Sequence, residues 1–216
     1  MARHFLLLFL FCSLILKAQQ DSVSKNRKWQ LNGTFFIGGN FFTKDIQRNY
    51  ANQFAMGISF DIYYKKILLS VRDQIGFGKT NKEFIDEDII LPRKSKFRSY
   101  LLGADIGLVV INNERRKFIP FVGIYTFSAG QPLFKKTTTP HSSNFGSPFT
   151  LTYSFGFNYD MKLRHAEWKM IDGYLEKVSD YKFIRIKNAF YLPQFQTNRP
   201  GFAGEIYCIT LEYGID

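Results

Sequence analysis

Phe149-Thr150-Leu151-Thr152-Tyr153-Ser154-Phe155-Gly156-Phe157-Asn158-Tyr159-Asp160 alternates without a break. Phe149, Leu151, Tyr153, Phe155, Phe157 and Tyr159 share one parity, and Thr150, Thr152, Ser154, Gly156, Asn158 and Asp160 share the other. A strand points successive side chains to opposite faces, so this stretch predicts one bulky apolar face and one small polar face. Its twelve residues are about twice an ordinary strand of roughly 5–6 and match the roughly 9–11 that a tilted strand needs to cross hydrocarbon.

The same period returns on both sides of this stretch. In 54–64, Phe54, Met56, Ile58, Phe60, Ile62 and Tyr64 oppose Ala55, Gly57, Ser59, Asp61 and Tyr63. In 29–38, Trp29, Leu31, Phe35 and Ile37 oppose Gln30, Asn32, Thr34 and Phe36. In 202–215, Tyr207, Ile209, Leu211, Tyr213 and Ile215 oppose Gly204, Ile206, Cys208, Thr210 and Glu212. Four stretches are less regular. An apolar face runs through Ile67, Leu69, Val71, Ile75 and Phe77 in 67–78, with Asp73 as a misfit. In 98–111 it runs through Tyr100, Leu102, Ala104, Ile106, Leu108 and Val110, opposite Ser99, Gly103, Asp105 and Gly107. The apolar face expected in 117–129 is Ile119, Phe121, Tyr125 and Phe127; in 181–192 it is Ile184, Ile186, Phe190 and Leu192, opposite Arg185, Lys187 and Ala189. The count is eight strands.

The connections alternate in length. Stretch 39–53 is long and polar, Lys65-Lys66 is a two-residue turn, 79–96 is long and charged, 112–116 is short, and 130–148 is long and rich in Ser, Thr and Pro. Short turns inside and long loops outside are the habit of outer-membrane barrels. Stretch 161–180 breaks the alternation. Trp168, Ile171, Leu175 and Val178 have helix-like spacing, which predicts a periplasmic helix there. The alternative makes 166–175 the seventh strand and gives 181–192 to the last outer loop; the strand formers of 181–192 favour the first assignment.

At 216 residues, with 45% hydrophobic side chains, the chain suits one domain and has material for a core. Arg3 and His4 precede an apolar run from Phe5 to Leu16, which ends in Lys17-Ala18-Gln19-Gln20. That is the pattern of an export signal, predicted to be cleaved after Ala18 and leaving 19–216 as the barrel domain. Removing Arg3 and Lys17 lowers the formal charge from +11 to +9 and leaves Cys208 as the only cysteine, so no intramolecular disulfide is expected.

Alternation alone also fits a lipocalin-like barrel or a sandwich, whose exposed parity carries Lys, Glu and Asp. Here the polar parity is mostly Ser, Thr, Gly, Asn and Gln, as suits a crowded interior, and the other is full of Phe, Leu, Ile and Tyr. The expected fold is therefore all-β: an eight-stranded, antiparallel, up-and-down transmembrane barrel with a packed interior. Asp61, Arg72, Asp105, Arg185 and Glu212 fall on the inward parity and are expected to form a neutralising ionic network. Trp29, Tyr64, Tyr159 and Tyr213 fall at the periplasmic rim, where amphipathic rings sit at a membrane boundary, and Phe77, Phe127 and Phe149 at the opposite rim. Arg93, Lys94, Lys96, Arg98, Lys135 and Lys136 gather near the outer rim, placed to pair with lipopolysaccharide phosphates.

The Lys17-Ala18-Gln19-Gln20 ending, Pro120-Phe121-Val122-Gly123 and Tyr153-Ser154-Phe155-Gly156-Phe157 resemble small outer-membrane β-barrel proteins of Bacteroidetes-type bacteria. These are similar in plan to the eight-stranded transmembrane domain of OmpA and to OmpX. Such barrels often end on Phe, whereas this sequence ends Tyr213-Gly214-Ile215-Asp216. The resemblance implies outer-membrane lipid and the barrel-insertion machinery as partners, and supplies no catalytic residue.

His141-Ser142-Ser143 is the one pairing of a base with a hydroxyl, in a loop where nothing else orients the base, so no catalytic site is assigned. No cofactor, metal or nucleic acid is expected. The function expected is a non-enzymatic surface barrel with a structural, adhesive or scaffold role. The rivals are a component of a secretion or assembly machine contacting a periplasmic partner through 161–180, a lipid A-modifying enzyme, and a soluble periplasmic carrier.

Overall fold

The computed structural model describes residues 29–86, 89–91, 93–132, 150–171, 174–194 and 204–215. In chain order the elements are β1 (Trp29–Phe42), α1 (Lys44–Asn49), β2 (Gln53–Tyr64), β3 (Ile67–Lys79), β4 (Phe84–Asp86), β5 (Ile89–Leu91), β6 (Lys96–Leu108), β7 (Ile111–Asn112), β8 (Arg116–Pro132), β9 (Thr150–Ile171), β10 (Tyr174–Pro193) and β11 (Ile206–Ile215). The long strands lie in the order β6-β3-β2-β1-β11-β10-β9-β8, and β6 pairs with β8 to close the sheet. Eight antiparallel strands thus form a barrel with no free edge at its wall.

Its geometry follows from the register. A row of paired residues starts at Gln30 and passes Tyr63, Leu68, Gly107, Phe121, Gly156, Ala189 and Cys208. It returns to β1 at Asn40, ten residues further along. Eight strands with that stagger must tilt by about 40° from the axis. The thirteen residues of β3 then rise about 30 Å along the axis, enough to cross an apolar band about 25 Å tall.

Most of the alternation maps onto the wall as the parity dictates. Leu151, Tyr153, Phe155 and Phe157 are exposed on the outer surface, while Thr152, Ser154 and Asn158 are buried. Stretch 117–129 corrects the expected parity. Ile119, Phe121, Tyr125 and Phe127 point inward and are buried, and Val122 and Ile124, each 58% exposed, take the outer face. Both parities of β8 are apolar, so periodicity could not choose between them; its partners decide. Phe127 consequently does not sit at the loop-end rim, and Phe149 lies outside the described residues.

The described residues of the irregular stretch 161–180 are strand and not helix. Strands β9 and β10 run on as one hairpin, from Lys182 opposite Leu163 to Tyr174 opposite Ile171. The preferred assignment of 181–192 as the seventh wall strand holds, since it lies within β10 and pairs with β9 and β11. The helix expected before it is corrected, and so is the alternative, because the described residues of 166–175 belong to the extended hairpin and not to the wall. Asp172-Gly173, a two-residue hairpin signature, lies between the paired Ile171 and Tyr174. The wall ends earlier: β8 leaves β9 at Met161, and β11 leaves β10 at Lys182. A two-stranded ribbon therefore continues about 25 Å beyond the barrel.

Candidate functional site: a sealed interior, a cationic rim and a projecting ribbon

Arg72, Lys117, Arg185 and Lys187 are buried inside the barrel, and so are Asp61, Asp105, Asp160 and Glu212. Four charges of each sign make the described interior neutral, as removal from water demands. Arg185 is the centre. Its Nη1 donates to Asp61 Oδ2 at 2.5 Å, its Nε and Nη2 grip both oxygens of Asp160 at 2.6 and 2.9 Å, and Nη2 also donates to Tyr63 Oη at 2.7 Å. The planar guanidinium fork suits this two-point grip, which a lysine could not reproduce. Glu212 links this group to the next: its Oε2 lies 3.6 Å from Arg185 Nη1, and its Oε1 accepts from Arg72 Nη1 at 2.5 Å. Arg72 also donates to Thr210 Oγ1 at 3.0 Å, and its guanidinium lies over the Phe36 ring at 3.4 Å.

Asp105 holds a second cluster. It pairs with Lys187, accepts from Tyr125 Oη at 2.7 Å and from Ser154 Oγ at 3.0 Å. Gly123 makes room for it: a Cβ there would lie 2.2 Å from Asp105 Oδ1. All five residues expected in the network thus lie in the interior, Asp105 in a cluster apart from the other four. Asp160, Lys187 and Lys117 join them. Asp160 and Lys187 were visible on the polar parities of their strands and needed only to be counted as charges. The interior is also more apolar than the small polar parity suggested, because Phe36, Phe97, Phe121, Phe127, Phe183, Tyr125 and Tyr191 fill it.

The loop end is sealed. Helix α1 inserts Ile46, with Tyr50 following, into a buried cluster that includes Phe42, Phe97, Tyr125, Tyr191 and Ile206. Tyr50 and Phe97 meet with ring centroids 4.5 Å apart. The helix is fastened on two sides. Asn81 donates from its backbone to Asn49 O at 2.8 Å and from Nδ2 to Gln47 O at 2.7 Å. On the other side Thr43 and Lys44 both hydrogen-bond the Glu205 carboxylate. Those bonds, from Lys44 first and Thr43 second, hold the Glu205 carboxyl below its ordinary range. At the turn end Tyr63, Leu68, Val109 and Ile119 form a smaller apolar cluster.

The outer surface carries the remaining residues. Trp29 and Tyr64 pack at 4.4 Å between centroids beside the Lys65-Lys66 turn; Tyr213 is exposed on the same surface and Tyr159 half-buried. At the loop end, Arg93, Lys94 and Lys96 are exposed and Arg98 is half-buried; Lys135, Lys136 and His141-Ser142-Ser143 lie outside the described residues. The misfit Asp73 stands on the outer face of β3, between Val71 and Ile75 along the strand and opposite Ile58 and Leu102 on its neighbours. At the base of the ribbon, Glu114, Arg115, Arg116, Tyr159, Met161 and Lys162 line an open depression of about 440 Å³.

No protein-family model and no curated protein matches the sequence. Among solved structures the fold is similar to that of Neisserial surface protein A, with a TM-score of 0.52 at 10% sequence identity, covering 88% of this chain and 96% of that one.

Proposed function

We propose that the protein is a small outer-membrane β-barrel that works through its exposed loops, in a structural, adhesive or scaffold role, and carries out neither catalysis nor free diffusion. The observation that supports this most is the inversion of the usual burial pattern. Large apolar side chains from Trp29 to Ile215 cover the outside, while four cations, with Arg72, Arg185 and Lys187 in ion pairs, and four anions lie inside among the described residues. A water-soluble carrier has the opposite arrangement, and so large an exposed apolar belt would aggregate in water. The aromatic and aliphatic packing beneath α1, together with the charged layer, fills the space that a pore or an apolar cargo would need. The likeness to a surface-protein barrel supports the same reading at the level of fold.

The test is cell fractionation combined with gel migration of unheated samples. The protein is expected in the outer-membrane fraction, migrating faster before boiling than after. Recovery in the soluble periplasmic fraction would overturn the reading, and altered lipid A in a deletion strain would replace it with an enzymatic one. A second reading, a component of an assembly machine, is favoured by the projecting ribbon and the cationic depression at its base. Loss of export with normal barrel insertion, after removal of 164–181, would support it.

A further inference from the structure

Strands β3 and β6 end at the loop end with an arrangement that a bare protein surface would avoid. Lys79 and Lys96 are direct partners across the two strands, and Arg98 stands one step below, opposite Phe77. All three share the outward parity of Ile75 and Tyr100. Like charges directly opposite one another on a sheet destabilise it unless something neutralises them. Among the described residues no carboxylate comes within ion-pair distance of any of the three, and the buried Arg98 Nε–H has no acceptor.

The following turn adds to the cluster. Thr80 and Ser95 are stitched by Thr80 N to Ser95 O at 3.0 Å and Ser95 N to Thr80 Oγ1 at 2.9 Å. Lys94, in a left-handed conformation at φ 66°, donates its N–H to Thr80 O at 2.9 Å. This holds exposed Arg93 and Lys94 beside the strand ends. The position along the barrel matters as much as the charge. The cations lie immediately beyond Phe77 and Tyr100, where the outward apolar face gives way to polar loop, which is the level of lipid headgroups.

We propose that Lys79, Lys96 and Arg98 form a binding site for a phosphate group of an outer-leaflet glycolipid of the lipid A type. The guanidinium supplies the directed donors and the paired ammonium groups supply charge. Arg93 and Lys94 extend the positive field over the headgroup. The site rests on the membrane reading above and adds a ligand to it.

The full-length protein is folded into phosphatidylcholine vesicles that contain no additive, bisphosphorylated lipid A, or the same lipid A with its phosphates removed. A fourth sample receives inorganic phosphate equal to the lipid phosphate. Unfolding in urea is read in each, for the wild type and for the triple variant K79Q/K96Q/R98Q. The wild type is expected to bind phosphorylated lipid A at least tenfold more tightly than the dephosphorylated form. The triple variant, relieved of the opposed charges, is expected to be at least as stable as the wild type without additive and to lose the preference. Equal stabilisation of wild type by both lipids, an undiminished preference in the variant, or the same effect from inorganic phosphate would each overturn the site. Failure to insert into vesicles of any composition would instead remove the membrane reading. Should the triple variant not fold, K96Q alone is expected to reduce the preference and R98K to retain part of it, and a full preference in K96Q overturns the site.

Discussion

Two charged residues on opposite parities carry opposite consequences. Arg185 neutralises Asp61 and Asp160 inside the barrel. Arg185→Met leaves two carboxylates buried without their cation, and the expected cost is about 3–5 kcal/mol, read from urea unfolding in vesicles. Asp73 faces outward among Val71, Ile75, Ile58 and Leu102. If that face meets hydrocarbon, Asp73→Leu stabilises the barrel by about 1 kcal/mol in the same assay, since a carboxylate there costs somewhat less than the ~2–4 kcal/mol of a basic residue. Destabilisation by Asp73→Leu would mean that the face meets something polar. Glu205 gives a pH signature. Its carboxyl is held low by Lys44 and Thr43 in the folded protein, so its contribution is present above the ordinary carboxylate range and lost as pH falls through the lowered value. The protection factors of the α1 amides, corrected for the intrinsic pH dependence of exchange, are expected to fall on acidification in the wild type and to be less pH-dependent in Glu205→Gln. The effect is small, because the pair is largely solvent-exposed. How much of the network was legible follows from parity: Arg185 and Asp61 could be assigned to the interior from alternation, but which anion Arg185 grips depends on a stagger of ten residues that no single strand reveals.

At the scale of elements, legibility depended on contrast between the two faces of a strand. Strand β9 has one apolar and one polar parity over 150–160, and the structure follows it. Strand β8 has apolar residues on both, because its inward face meets the packing beneath α1; there the sequence offered no contrast to read. The 161–180 stretch was misread because four apolar positions happened to match a helical period, while Asp172-Gly173, which pointed to a hairpin, lay unused between them. Neither the small helix α1 nor its insertion was foreseeable from six polar-rich residues, Lys44–Asn49, whose burial rests on contacts from Asn81 and Glu205. The ribbon is separable from the wall, since β8 and β11 release it at Met161 and Lys182. Replacing 164–181 by a two-residue turn is therefore expected to leave the unfolding free energy within about 0.5 kcal/mol. A barrel that no longer folds after this excision would show that the ribbon nucleates β9–β10 pairing.

The whole molecule is a closed wall around a neutral, tightly linked interior, capped at the loop end by α1 and clustered with Tyr63, Leu68, Val109 and Ile119 at the other. Its dimensions and its outward apolar surface match a bilayer, and its filled interior predicts no conductance in a planar membrane. If the wall sits in lipid, the odd residues of β9 from Leu151 to Phe157 touch acyl chains and the even ones from Thr152 to Asn158 do not. A fluorophore placed singly at each position from Leu151 to Asn158, in vesicles of lipids brominated on their acyl chains, tests it most directly. Strong quenching is expected at Leu151, Tyr153, Phe155 and Phe157 and weak quenching at Thr152, Ser154, Gly156 and Asn158. Quenching without that alternation, or stronger on the even positions, would contradict it.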